Sequence, residues 1–193
     1  MRTHRLFIST AIATAVLAAC SAPETRTESE APAPATSTAQ EAVANLAAAS
    51  ASLVSGKLTL VPMGDGVHIT GTIGGLAPGS THAFHVHEKG DCSAADASSA
   101  GPHFNPAGAP HGRSSSGPGQ HHAGDMDNLI ASQDGVVQVD VHLGGVTLGG
   151  GAANDVADRA IVVHAVADDY ASQPAGNAGA RIACGVIKVT KQS

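Results

Sequence analysis

Residues 57–73 read Lys-Leu-Thr-Leu-Val-Pro-Met-Gly-Asp-Gly-Val-His-Ile-Thr-Gly-Thr-Ile. Lys57 to Val61 alternates in polarity, as does Val67 to Ile73, and Gly64-Asp65-Gly66 stands between them. Period-two patterning broken by a glycine-rich turn is the signature of a β-hairpin. The same signature recurs outward from this hairpin. Thr81 to His87 alternates, and so does Val136 to Val141 after the turn Gln133-Asp134-Gly135. Ala160 to Val166 is rich in Ile and Val, and Ile182 to Val189 is the last apolar run. No long stretch keeps a 3.6-residue period. The pattern predicts an all-β domain, an antiparallel sandwich or small barrel.

Two long segments, Glu88 to Met126 and Asp168 to Ala180, lack strand patterning. Loops of that length in a compact domain usually carry function. The chain has no Trp, one Tyr and three Phe, one of them Phe7, so the core must be built from Val, Ile, Leu and Ala. From residue 53 onward there are 7 Lys and Arg against 12 Asp and Glu. That balance, with no basic run, argues against a nucleic-acid partner.

The N-terminus reads as an export signal over residues 1–19. Arg2, His4 and Arg5 make a basic start, and Leu6 to Ala19 is apolar but short for a membrane span. Residues 20–52 read as a tether. Ser21 to Gln40 holds Ala, Pro, Ser, Thr and Glu with no large apolar residue, a composition that cannot offset the entropy of ordering it. Glu41 to Ser52 is alanine-rich, the composition of a short helix at most. The folded domain is expected over residues 53–193.

Of 11 histidines, most fall on the predicted strands or in the first long segment: His85-x-His87, His103, His111, His121-His122-x-x-Asp125 and His164. His85 and His87 are two apart in a strand and so share a face, leaving Phe84 and Val86 for the other. Imidazole is the commonest metal ligand among side chains. The set exceeds what one tetrahedral ion needs, which points to two ions, or to one ion and idle histidines. His68, His82 and His142 lie on or beside strands and read as surface or core residues. Cys92 and Cys184 belong to no C-x-x-C pair and are either a disulfide of an oxidising compartment, free thiols or metal ligands.

The run Leu17-Ala18-Ala19-Cys20 resembles a bacterial lipobox, which implies cleavage before Cys20 and a lipid on its sulfur. The later segments resemble the copper/zinc superoxide dismutases, and among them the exported bacterial lipoproteins. The matching stretches are Phe84-His85-Val86-His87-Glu88, Gly90-Asp91-Cys92, Ser99-Ala100-Gly101-Pro102-His103-Phe104-Asn105-Pro106, His122-Ala123-Gly124-Asp125, Val162-Val163-His164, Asp168-Asp169 and Gly176 to Ile187. Together they span roughly residues 55 to 190.

The resemblance implies a Greek-key antiparallel β-sandwich, immunoglobulin-like, with two long functional loops. It implies copper at His85, His87, His103 and His164, and zinc at His103, His111, His122 and Asp125, with His103 shared. The family's zinc histidine stands three residues before the aspartate, which selects His122 over His121. Asp168 matches a carboxylate behind one copper and one zinc histidine. Cys92 and Cys184 match the family disulfide, and Arg181 matches an arginine beside the copper. The implied activity is dismutation of superoxide, with catalytic roles for Arg181 and His103. The alternative is a non-catalytic periplasmic copper/zinc-binding protein on the same fold. The implied site is the bacterial envelope, anchored through Cys20. Ser21, in place of an acidic residue, favours the outer membrane over the inner one. A homodimer is among the partners the family allows. Unlike the animal enzymes, residues 170–180 carry no charge, so electrostatic steering must come from Arg181, copper or more distant groups such as Lys89.

Overall fold

The computed structural model describes residues 36–193. The export signal, Cys20 and the tether up to residue 35 lie outside the described residues.

Nine strands are described: β1 Ala39–Ala48, β2 Ser55–Met63, β3 Gly66–Gly74, β4 Thr81–His82, β5 Phe84–His87, β6 Leu129–Ile130, β7 Val137–Gly144, β8 Ala160–His164 and β9 Arg181–Gln192. Seven of them form one antiparallel sheet in the order β5-β8-β9-β1-β2-β3-β7, and β4 pairs with β6. The predicted hairpin is β2–β3. Met63 pairs with Gly66, so Gly64 and Asp65 make the turn, and Gly64 takes the positive φ that a tight hairpin turn requires. Leu58, Leu60, Ile69 and Ile73 from this hairpin are fully buried. Each contributes roughly 1.5–3 kcal/mol to the core. Phe84 and Val86 of β5 join the same cluster as Val137, Val139 and Leu143 of β7. Because β5 and β7 are opposite edges of the sheet, the sheet must curl for both to reach one core. The fold is therefore the all-β architecture expected.

One expectation fails. Residues 39–48, read as part of the tether with at most helical composition, form β1 in the middle of the sheet, between β9 and β2. The folded domain therefore begins ahead of residue 53 and includes Ala39–Ala48. Ala42, Ala44 and Leu46 alternate inward and are buried. Alanine is a poor strand former by itself. A strand flanked on both sides satisfies its backbone through its neighbours, whatever the propensity of its side chains. The neighbouring β9 runs close against it: a Cβ at Gly185 would lie 2.6 Å from the carbonyl oxygen of Asn45.

The faces of β5, β8 and β9 position the site. Ile161 and Val163 of β8 enter the main core, while Ala160 and Val162 face the other way, with Cys184 of β9 and Ala97 and Ala100 of the first long loop. His85 pairs with Val162 and His87 with Ala160, so both histidines project onto this second face beneath the loop. The Cys92–Cys184 disulfide fastens the loop to β9 there.

Candidate metal centre

The first loop returns twice to β5. Phe104 N–H donates to Val86 O (2.8 Å), Val86 N–H to Gly124 O (2.9 Å), and Gly124 N–H to Phe104 O (2.9 Å). These bonds bring His103 opposite His87 and Asp125 opposite His85. Gly124 is required at this crossing, because a Cβ would lie 2.3 Å from Val86 O. The sheet edge thus templates two loop residues that carry chemistry.

The result is two four-residue groups that share His103. His85, His87, His103 and His164 form one, and His103, His111, His122 and Asp125 the other, each with its donor atoms within 4.8 Å of one another. All seven residues are buried. Hydrogen bonds on the far side of three of the rings fix which nitrogen faces its group. His85 Nε2–H donates to Asp168 Oδ2 (2.8 Å), His87 Nδ1–H to Gly101 O (2.8 Å), and His111 Nε2–H to Asp168 Oδ1 (3.0 Å). The inward atoms His85 Nδ1, His103 Nε2 and His111 Nδ1 are buried without any hydrogen-bond partner. His87 Nε2 stands 3.3 Å from His164 Nε2, and His122 Nδ1 stands 3.3 Å from His103 Nδ1. His111 Nδ1 is 3.1 Å from Asp125 Oδ2 without hydrogen-bond alignment. Buried acceptor atoms that converge this closely are costly unless a cation, whether a metal ion or a proton, takes the space between them. Both groups therefore fit metal ions. The first is all imidazole, and the second is three imidazoles and one carboxylate.

The electrostatics differ between the groups. Burial pushes His87 down to about 2, against the pull of Gly101 O and with the help of His103, His164 and Arg181. Burial likewise lowers His164 to about 3, and it lowers His103 to about 4 despite the Asp125 hydrogen bond. Neutral imidazole is the state that binds a metal. At His111 burial also favours the neutral form, but Asp125 and Asp168 together overcome it and raise the group to about 9. There a proton holds the place between two carboxylates that an ion can fill. Burial opposes ionisation of Asp125 and Asp168, yet their histidine partners hold both well below the usual carboxylate range.

Arg181 begins β9. It donates from Nη1 to Ala97 O and from Nη2 to Gly101 O, both at 2.7 Å. Gly101 O thus holds His87 and Arg181 together. An open cleft of about 930 Å³ reaches His87, His103, His164 and Arg181. Arg159 is on the same wall, with its guanidinium carbon 3.9 Å over the Phe104 ring and its donors on Asp155 O and Glu88 O. Lys89, near His87 in sequence, instead runs its stem beside Gly101. His121 turns its Nδ1 to His122 O and joins neither group.

Several residues the sequence did not single out support the centre. His82 Nδ1 bonds His164 O (2.8 Å). Asn128 pairs with both backbone groups of Asp168, and Gln173 does the same for His111. Each acts on a residue distant in sequence, so no spacing pattern could have announced it.

The family model for copper/zinc superoxide dismutase matches residues 54–187. Superoxide dismutase [Cu-Zn] 2 of Aquifex aeolicus (strain VF5) is 45% identical over 138 residues, which are 70% of this chain and 80% of that protein. The superoxide dismutase-like protein YojM of Bacillus subtilis (strain 168) is 40% identical over 126 residues, 64% of this chain and 63% of that protein. Among solved structures, the clock protein EA4 superposes with a TM-score of 0.69 at 36% identity, covering 80% of this chain and 98% of that one.

Proposed function

The chain belongs to the copper/zinc superoxide dismutase family, and from that membership we propose that it is a working superoxide dismutase. Copper and zinc are its cofactors, and the two buried donor groups suit them. The observation that carries the catalytic reading is the complete four-histidine group opening on a cleft that also contains Arg181. In this reading His85, His87, His103 and His164 hold copper, and His103, His111, His122 and Asp125 hold zinc. When bound, copper supplies a one-electron redox couple, and zinc supplies a redox-inert charge that steadies the loop and the shared imidazole.

The chain's own residues do the rest. Superoxide is a small anion, and two of them with two protons become dioxygen and hydrogen peroxide. Arg181, held at two carbonyl oxygens, presents a fixed positive charge in the cleft. His103 Nε2 lacks a hydrogen-bond partner and faces the four-histidine group, so it is the atom that can hold a proton for the departing peroxide. Asp168 keeps the His85 and His111 rings in register, and such outer partners set ligand orientation. The test is the metal content of the purified protein, with dismutase activity measured before and after copper removal. Two bound metals with no activity when fully loaded would favour the non-catalytic reading, to which the superoxide dismutase-like relative lends weight.

The same reading places the protein in the bacterial envelope, exported and lipid-anchored at Cys20, with the outer membrane favoured by Ser21. Cys20→Ser should move the protein to the soluble fraction with activity intact. Unchanged membrane association would remove the anchor from the account.

A further inference from the structure

Gln173 lies in the uncharged second loop, yet apart from a long bond to Ala171 O (3.4 Å) its amide serves one residue of the first loop. Its Nε2–H donates to His111 O at 2.8 Å, and its Oε1 accepts from His111 N–H at 2.8 Å. A carboxamide that takes both backbone groups of a single residue copies one rung of a β-ladder. It fixes the peptide planes on either side of His111, a residue with no strand or helix of its own.

Three residues on, Gly176 passes over the other end of His111 with φ +63. A Cβ there would lie 1.8 Å from Asp168 Oδ1 and 2.7 Å from His111 Nε2. The second loop can therefore hold His111 by its backbone and shield the bond that orients its ring. Asp168 of the same loop fixes the ring itself, which leaves Nδ1 turned toward Asp125.

We propose that Gln173 is a positioning residue for zinc: it sets His111 in place before the ion arrives, so zinc affinity depends on a side chain that never touches zinc. The proposal rests on the reading of His111 as a zinc ligand. Ordering a ligand in advance removes its entropic cost from the binding step. A residue that merely braced the surface would affect overall stability and leave the two ion sites equally sensitive.

The test titrates zinc into copper-loaded, zinc-free protein against a chromophoric chelator. The variants are Gln173→Glu, which keeps the shape but loses the donor to His111 O, Gln173→Ala, and His111→Ala. Both Gln173 variants should bind zinc about tenfold more weakly, the lower end of what outer-shell partners do. Their copper affinity should match the parent, and the melting temperature of their metal-free forms should fall by no more than the few degrees that two lost hydrogen bonds cost. Parent-like zinc affinity in both variants, while His111→Ala loses zinc, overturns the proposal. An equal loss of copper affinity and of metal-free stability also overturns it, because the loop would then be a general brace. Zinc bound normally by His111→Ala would instead remove the underlying ligand assignment.

Discussion

The four-histidine group and the three-histidine, one-aspartate group are built by different means. His85 and His87 sit on β5 and His164 on β8, two strands bonded to each other, so the sheet fixes the backbones of three of the four residues, and loop groups such as Asp168 and Gly101 O only orient the rings. His111, His122 and Asp125 sit on a loop outside any strand, with only the short 3₁₀ turn Ser114–Ser116 between them. Their order comes from bridges to β5, the Cys92–Cys184 disulfide, and the carboxamides of Asn128 and Gln173. His103 belongs to both groups. The lesson is that one metal-ligand group can be preorganised largely by backbone geometry, while its neighbour is preorganised by many separate side-chain bonds. The two should therefore fail in different ways.

The widest separation is expected from deleting one ligand on each side. His164→Ala takes away an imidazole that touches only the strand group, so turnover should vanish while zinc is retained. Asp125→Ala takes away a ligand of the loop group only, so zinc should be lost with copper still bindable and part of the activity kept. Metal analysis and dismutase assays on the two variants check this. Equal loss of both metals in both would mean that the groups are one site.

A second contrast lies in the metal-free protein. His87, His103 and His164 are held down, to about 2, 4 and 3, chiefly by burial, whereas an unfolded histidine titrates near 6.5. The folded state then binds fewer protons than the unfolded one below pH 6.5, so stability falls as the pH drops through that range. His111, pushed up to about 9, has the opposite sign. Its stabilisation is complete below 6.5 and is lost as the pH rises toward and through 9. The melting temperature of the metal-free protein should therefore peak near pH 6.5 and decline on both sides. With zinc in place of the His111 proton, the alkaline decline should disappear. A metal-free profile rising steadily from pH 5 to 9 would contradict the assignment of opposite signs.

How much of this was legible follows from where each signal lies. The β2–β3 hairpin and the edge strands were readable because their alternation runs unbroken along the chain. The metal residues were readable because their residue types are rare and their order is distinctive. β1 was not, because Ala42, Ala44 and Leu46 alternate on too little apolar mass to stand out from the alanine-rich sequence around them. Its strand character comes from β2 and β9 on either side. Gln173, Asn128 and Arg159 were invisible for a related reason: each is an ordinary polar residue whose role depends on a partner at least 40 positions away.

The disulfide tests the loop half more gently. Cys92 and Cys184 are 92 residues apart, and closing such a loop is worth roughly 2–5 kcal/mol. Cys184→Ser should lower thermal stability by that order. Cys92 also anchors the start of the stretch whose Ala97 and Gly101 carbonyls seat Arg181. The variant should therefore lose activity more than it loses copper. Free thiols at both positions in the native protein, found by mass spectrometry, would undo this part of the account.

The smallest predicted change concerns an arginine that ties the two halves together at the cleft. Arg181 springs from β9 beside the strand histidines, yet both its anchors lie in the loop, and Gly101 O is shared with His87. The chain carries a formal charge of −6, and residues 170–180 supply no cation, so an incoming anion meets a repulsive surface broken by Arg181 and Arg159 on the cleft wall. Arg181→Glu reverses one of these charges and leaves every metal donor in place. Catalytic efficiency should fall by at least about tenfold, equivalent to about 1.4 kcal/mol of transition-state stabilisation. Copper and zinc content should not change. Added salt screens attraction in the parent and repulsion in the variant, so it should slow the first and should not slow the second. A fully loaded variant as fast as the parent would reduce Arg181 to a strut between β9 and the loop, leaving Arg159 as the cation that draws the substrate in.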